Sequence, residues 1–289
     1  MRSTIWLVFA VLAATGCRDP ALLINPHANA TRIATDAGFE RRDIDSSPFV
    51  IATFFRAGPG NRLRVYIEGD GRAWLKRYQL SANPTPVNPV ALRLAVQDRT
   101  ASVLYLARPC QFTAQTRRGC RPQYWSSHRF APVVVQSMNG VINTYLERLW
   151  AEGNNTADIE LAGYSGGAAI AALIAAMRAD VKRVISIAGN LDHAAWTAYH
   201  GVSPLRGSLN PADAAGALSA MPQIHFVGGH DRIIPQVLAD GFVRRLGPYH
   251  NARIVVEPDF DHTCCWADNW MQRLCRAAVS TDPESSIAC

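Results

Sequence analysis

The sequence predicts an α/β fold, with a mostly parallel central sheet, helices on both faces and a small cap or loop insertion. Three observations carry this expectation. Short apolar runs rich in Val, Ile, Leu and Phe alternate with longer segments whose apolar residues recur at helical spacing. One such run, Ile159 to Ala162, passes through a glycine-flanked turn directly into an alanine-rich helical stretch. Polar residues with chemical potential fall at or just after the ends of predicted strands, where parallel sheets gather their sites.

Taken in order, residues 1–17 read as an export signal. Met1-Arg2 gives a basic start, Ile5 to Ala14 an apolar stretch too short to span a bilayer stably, and small residues lead to Cys17. Residues 18–47 are polar and lack sustained periodicity, so they read as a tether before a domain spanning 48–289. Phe49 to Phe55 and Leu63 to Glu68 read as strands separated by a Gly/Pro turn, and the second runs into Gly69-Asp70-Gly71. A proline-rich loop with Trp74 follows, then a helix over Pro89 to Gln97 and a strand over Ala101 to Ala107. A long loop from Arg108 to Arg129 carries Cys110, Cys120, Tyr124 and Trp125. From Pro132 to Trp150, Val134, Met138, Val141, Ile142, Tyr145 and Leu149 mark one helical face.

After the glycine-flanked turn and its helix (Ala168 to Met177), Val181 to Ala188 reads as a strand and 190–220 as a loop-rich cap. Gln223 to Val227 is a strand ending at Gly228-Gly229-His230-Asp231. A helix from about Pro235 to Leu246 and a last strand, Ala252 to Glu257, lead to Asp261-His262, and a closing helix begins near Trp266.

The chain has 289 residues, 48% of them hydrophobic and 18% charged, so a sizeable core is available and global disorder is excluded. The net charge of +6 is spread without a long Lys/Arg block, which argues against nucleic-acid binding. Seven cysteines suit an oxidising compartment. With Cys17 set aside, closeness along the chain favours Cys110 with Cys120, and one of Cys264 and Cys265 with Cys275 or Cys289. No C-x-x-C or paired-histidine spacing supports a metal site.

Gly163-Tyr164-Ser165-Gly166-Gly167 has the form of a G-x-S-x-G turn between strand and helix, which lifts a serine above a sheet. A serine on so tight a turn needs small neighbours. Serine is a weak nucleophile until a base takes its proton, and that base needs an acid to orient it. Asp231 and His262 follow later strands, in the chain order Ser, Asp, His. On these motifs the chain, over roughly residues 45–280, resembles the α/β-hydrolase superfamily.

The resemblance implies Ser165 as nucleophile, His262 as general base and then acid, and Asp231 as the orienting acid. Asp192 is a reserve acid, since some members place theirs after the preceding strand. Asp261 adjoins His262, a poor placement for a well-aimed pair. The implied oxyanion donors are the N–H of Gly166 and one from the loop after the second strand, where Asp70 is favoured and Gly69 is the alternative. Glu68 stands where the family usually has His. Tyr164, Trp74, Tyr124, Trp125 and Trp266 lie near the site loops and are candidates for an acyl pocket or for ordinary packing.

The reaction this implies is hydrolysis of small-molecule or lipid carboxylic esters, with no cofactor and no metal. A peptidase or amidase, a non-catalytic envelope binding protein, and a cysteine enzyme using Cys264 or Cys265 are the alternatives. Ala14-Thr15-Gly16-Cys17 resembles a bacterial lipobox, although Ala14 replaces the more usual Leu. Lipidated Cys17 would then contact the membrane of a bacterial periplasm or outer envelope.

Overall fold

The computed structural model describes residues 25–114, 118–156 and 158–279. The export signal, Cys17 and Cys289 lie outside the described residues. Among the described residues ten strands follow one another in the order β1 (Glu40–Ser46), β2 (Phe49–Arg56), β3 (Arg62–Ile67), β4 (Trp74–Lys76), β5 (Gln79–Leu80), β6 (Ser102–Leu106), β7 (Asp158–Tyr164), β8 (Val181–Ile187), β9 (Gln223–Gly228) and β10 (Ala252–Glu257). Eight of them form one sheet in the order β1-β2-β6-β3-β7-β8-β9-β10. From β6 to β10 every pairing is parallel, while β1 and β2 join antiparallel at one edge.

Alternation along the strands fills two cores. Leu63, Val65 and Ile67 of β3 face one layer, and Tyr66 faces the other. The first layer is closed by α3 (Pro132–Ala151), α4 (Gly166–Ala175) and α7 (Gln236–Arg245). The second is closed by α1 (Pro26–Asp36), α2 (Val90–Ala95) and α8 (Trp270–Val279). Each fully buried Leu or Ile here contributes about 1.5–3 kcal/mol. Every residue of α4 is buried, and its run of Gly and Ala lets the helix axis approach the sheet closely.

Three expectations need correction. The tether assigned to 18–47 is folded from Pro26 onward: α1 buries Ala30 and Ala34, and β1 pairs along its whole length with β2. Its polarity has a simple cause, because β1 is an edge strand whose outer positions face water. The loop carrying Trp74 contains the small antiparallel hairpin β4–β5. Cys110 joins Cys120 as expected, with a Cα separation of 5.5 Å, but Cys264 and Cys265 lie against each other and neither is bonded to Cys275. Cys275 is disulfide-bonded as well.

The cap region, 190–220, contains α5 (His193–His200), a 3₁₀ turn at Pro211–Ala214 and α6 (Ala215–Leu218). Leu205, Ala212, Ala215 and Leu218 join the first core layer. Trp196 and His200 instead reach over the strand ends and donate to the carbonyl of Ile233, at 2.9 and 2.8 Å.

Candidate active site

All the polar residues picked out by the sequence lie at the carboxyl edge of the sheet. Ser165 follows β7 directly and takes φ +51° and ψ −119°, a conformation unfavourable for any residue with a side chain. The turn persists because its neighbours are glycines. A Cβ on Gly163 would come within 2.4 Å of the Ala168 nitrogen, and one on Gly167 within 2.2 Å of the Ile67 carbonyl oxygen. The helix that starts at Gly166 leaves its first N–H groups without intrahelical partners, facing the site.

Ser165 Oγ lies 3.0 Å from His262 Nε2, and His262 Nδ1 lies 2.8 Å from Asp231 Oδ2. Asp231 sits in the loop after β9, and its side chain is fully buried. Its Oδ1 accepts the N–H groups of Ile233 and Ile234, both at 2.8 Å, which leaves Oδ2 for the imidazole. Because an ionised carboxylate only accepts, Nδ1 carries the proton and Nε2 is the acceptor towards Ser165.

His262 is held from behind by two aromatics. Tyr164 Oη and Trp266 Nε1 both donate to its carbonyl oxygen, at 2.8 and 3.0 Å. Trp266 is thus buried structure and not pocket lining, while Tyr164 serves both purposes. Trp125 is likewise buried and donates to the Ser81 carbonyl, and Tyr124 packs edge-on against Phe49. Of the five aromatics considered for a pocket, Trp74 and Tyr164 line the cavity at Ser165.

The reserve acid is committed elsewhere. Asp192 Oδ1 caps α5 through Ala194 and Ala195 and accepts from Asn210 Nδ2, while Oδ2 lies 3.3 Å from Arg245. Asp261 accepts the N–H groups of Thr263 and Cys264 at 2.7 Å and shapes the turn after the histidine.

The loop after β3 separates the two oxyanion candidates. The Gly69 N–H donates to Glu68 Oε1 at 3.0 Å and is turned away from the site. Among the described residues the Asp70 N–H has no such acceptor, so of the two loop candidates Asp70 is the one with an uncommitted N–H. Glu68 points inward, where it also accepts from the Ala91 N–H and the Tyr105 hydroxyl. Burial pushes its carboxyl up to about 7 against the opposing pull of these hydrogen bonds.

Asp70 is the other acidic group in this loop, and its carboxylate packs so closely on Gly166 that a Cβ there would lie 2.2 Å from Oδ1. Burial raises its pKa, but Arg129 and Arg108 outweigh that and hold it below the usual carboxylate range. They contact it at 2.6 and 3.1 Å. No local pattern in the sequence marks this charge cluster. The available signal was position: Arg108 follows β6, which lies beside β3 in the sheet. Gln111, from the same loop, donates to the Gly69 carbonyl at 2.9 Å, and the Cys110–Cys120 bridge ties that loop down.

The cavity at Ser165 has a volume of about 560 Å³ and is bounded by Asp70, Trp74, Arg129, Asn190, Trp196 and Ile233 among others. Asn190 Oδ1 is buried with no partner among the described residues. No cluster of metal-ligating side chains occurs among the described residues, and no helix there is long and apolar enough to cross a membrane.

No family model matches the chain, and no curated protein matches it in sequence. Solved structures do match in shape. The Pyrococcus furiosus esterase Pf2001 aligns over 83% of this chain and 92% of its own at 14% identity, with a TM-score of 0.58. Est1E from Butyrivibrio proteoclasticus aligns over 83% and 98% at 14% identity and a TM-score of 0.56. The Pyrococcus horikoshii acylaminoacyl peptidase aligns over 84% of this chain and 41% of its own, at 13% identity and a TM-score of 0.59. At these identities the likeness concerns architecture, and together with the eight-stranded sheet and its carboxyl-edge loops it establishes that this chain has the α/β-hydrolase fold.

Proposed function

We propose that this protein is a serine hydrolase that cleaves carboxylic esters through an acyl-enzyme on Ser165. The observation that carries the reading is the continuous relay from Ser165 Oγ through His262 to Asp231, at 3.0 and 2.8 Å. In the first half-reaction Ser165 Oγ attacks the ester carbonyl carbon as its proton passes to His262 Nε2. The carbonyl oxygen takes the negative charge and accepts the N–H groups of Gly166 and Asp70. Collapse breaks the bond to the alcohol, which leaves with the proton from Nε2. Water then enters, gives a proton to Nε2 and attacks the acyl carbon, and collapse releases the acid and restores the serine. Asp231 keeps its charge throughout and stabilises the imidazolium.

The fold is shared with both esterases and a peptidase, so it does not by itself distinguish leaving groups. Export with lipid attachment at Cys17, and membrane contact through it, is part of the same proposal. Its support is the basic start, apolar stretch and Ala14-Thr15-Gly16-Cys17 of the sequence.

The test is labelling of the purified protein with a fluorophosphonate probe, alongside hydrolysis of p-nitrophenyl acetate and an acyl p-nitroanilide. The expected result is a covalent adduct on Ser165 and turnover of the ester, with turnover several orders of magnitude lower in Ser165→Ala. Full turnover in that variant would overturn the assignment, and faster cleavage of the anilide would move it to an amidase.

A further inference from the structure

The cavity at Ser165 continues past its far wall. Trp74, Arg129, Trp196 and Ile233 border it and also border a second cavity of about 900 Å³ that contains neither Ser165 nor His262. This larger chamber is built outside the parallel sheet, from the β4–β5 hairpin, the Ser126–Arg129 segment, and α5 with the loop down to Leu205.

Two features of its walls define what it can hold. Large apolar groups stand in water there: Trp74 is 45% exposed, Tyr78 85% and Ile233 48%. Apolar groups gathered at the mouth of a site, with no side of the core to cover, suit an apolar ligand. The charges are all of one sign. Lys76, Arg77 and Arg129 line the chamber, and none of its lining residues is Asp or Glu. Arg129 is engaged by Asp70, whereas neither Lys76 nor Arg77 forms an ion pair among the described residues. A chamber bearing two such cations beside apolar walls complements an anion at the end of an apolar body.

Accepting Ser165 as the nucleophile, we propose that this second chamber is a subsite for an elongated ester whose body is apolar and whose far end is anionic. A half-ester of a long dicarboxylic acid, or a short chain of ester-linked hydroxy acids ending in a free carboxylate, has this form. The scissile carbonyl lies at Ser165, the body passes between Trp74 and Trp196, and the terminal carboxylate meets Lys76 and Arg77.

Two substrate series test this. In the first, the anion is on the acyl side: p-nitrophenyl half-esters of succinic, adipic and sebacic acids are compared with p-nitrophenyl butyrate, hexanoate and decanoate. In the second it is on the alcohol side: O-acetyl derivatives of glycolic, hydroxyhexanoic and hydroxydecanoic acids are compared with ethyl, hexyl and decyl acetates. In one of the two series kcat/KM should favour the anionic substrate by about five-fold at the longest length, as expected for partly screened charges. The preference should vanish at the shortest length, and the double variant Lys76→Glu/Arg77→Glu should reverse it. Equal rates for anionic and neutral substrates in both series, or a preference that survives the charge reversal, overturns the subsite. Labelling of Ser165 by fluorophosphonate in the same preparation separates the two levels. Labelling without a charge preference sinks the subsite alone, and no labelling sinks the hydrolase reading and the subsite with it.

Discussion

Replacing Glu68 by glutamine should remove a pH dependence of stability that the wild-type protein carries between pH 4.5 and about 7. The Glu68 carboxyl is 1% exposed, and it accepts from the N–H groups of Gly69 and Ala91 and from the Tyr105 hydroxyl. Burial raises it from 4.5 to about 7 despite those three donors. The folded protein therefore binds this proton more tightly than the unfolded chain does. The resulting stabilisation, relative to the ionised state, is complete below pH 4.5 and is lost as pH rises through the folded value near 7. A displacement of that size corresponds to about 3 kcal/mol.

Glutamine has the same shape and stays neutral, so its Oε1 can keep the Gly69 N–H. The stability of Glu68→Gln relative to wild type should then rise by about 3 kcal/mol between pH 4.5 and about pH 8. The assay is urea unfolding followed by tryptophan fluorescence at several pH values for both proteins, with the slopes compared to ensure that the same transition is read. Because every other titrating group is common to both, the difference isolates Glu68. Parallel stability curves across the range would refute the argument that burial governs this carboxyl.

Exchanging the two candidate acids should give opposite phenotypes. Asp231→Asn should lower kcat by about four orders of magnitude by disturbing the histidine tautomer. Asp192→Ala should instead cost about 1–2 kcal/mol of stability through the lost cap of α5, read as a shift in unfolding midpoint, with kcat within a few-fold of wild type. His225 is buried in β9 with Nδ1 against Ser186 Oγ, and burial pushes it down to about 3. Its contribution to stability is fully present above the ordinary value of 6.5 and is lost as pH falls towards 3, by about 5 kcal/mol in all. His225→Asn, whose Oδ1 can accept from Ser186, should flatten this acid limb in unfolding experiments, and an unchanged limb would count against the assignment.

Much of the fold and the candidate site was legible because the relevant patterns are local. The strands of a buried parallel sheet are apolar runs, and β7 with α4 is written in one continuous stretch, Ile159 to Ala175, punctuated by glycines whose absence of Cβ the turn requires. The order of Ser165, Asp231 and His262, each after its own strand, is enough to place them on one edge of a parallel sheet. What remained hidden was non-local or polar. α1 and β1 look like a tether because an edge strand and a helix with two buried alanines need little apolar residue content. The inward turn of Glu68 depends on Tyr105, which lies beside it only because β6 inserts between β2 and β3.

The sequence alone determined the sheet, the serine turn and the set of candidate side chains, since strand length, glycine placement and residue type are properties of neighbours along the chain. The tertiary structure decided which acid faces the histidine and which N–H of the oxyanion loop is free. It also decided which sulfur partners which, and that a second chamber opens beside the first. The choice of acid is made by distance in space between His262 and a carboxylate 31 positions away, and the chamber by segments brought together from Trp74 to Ile233, quantities no local pattern encodes.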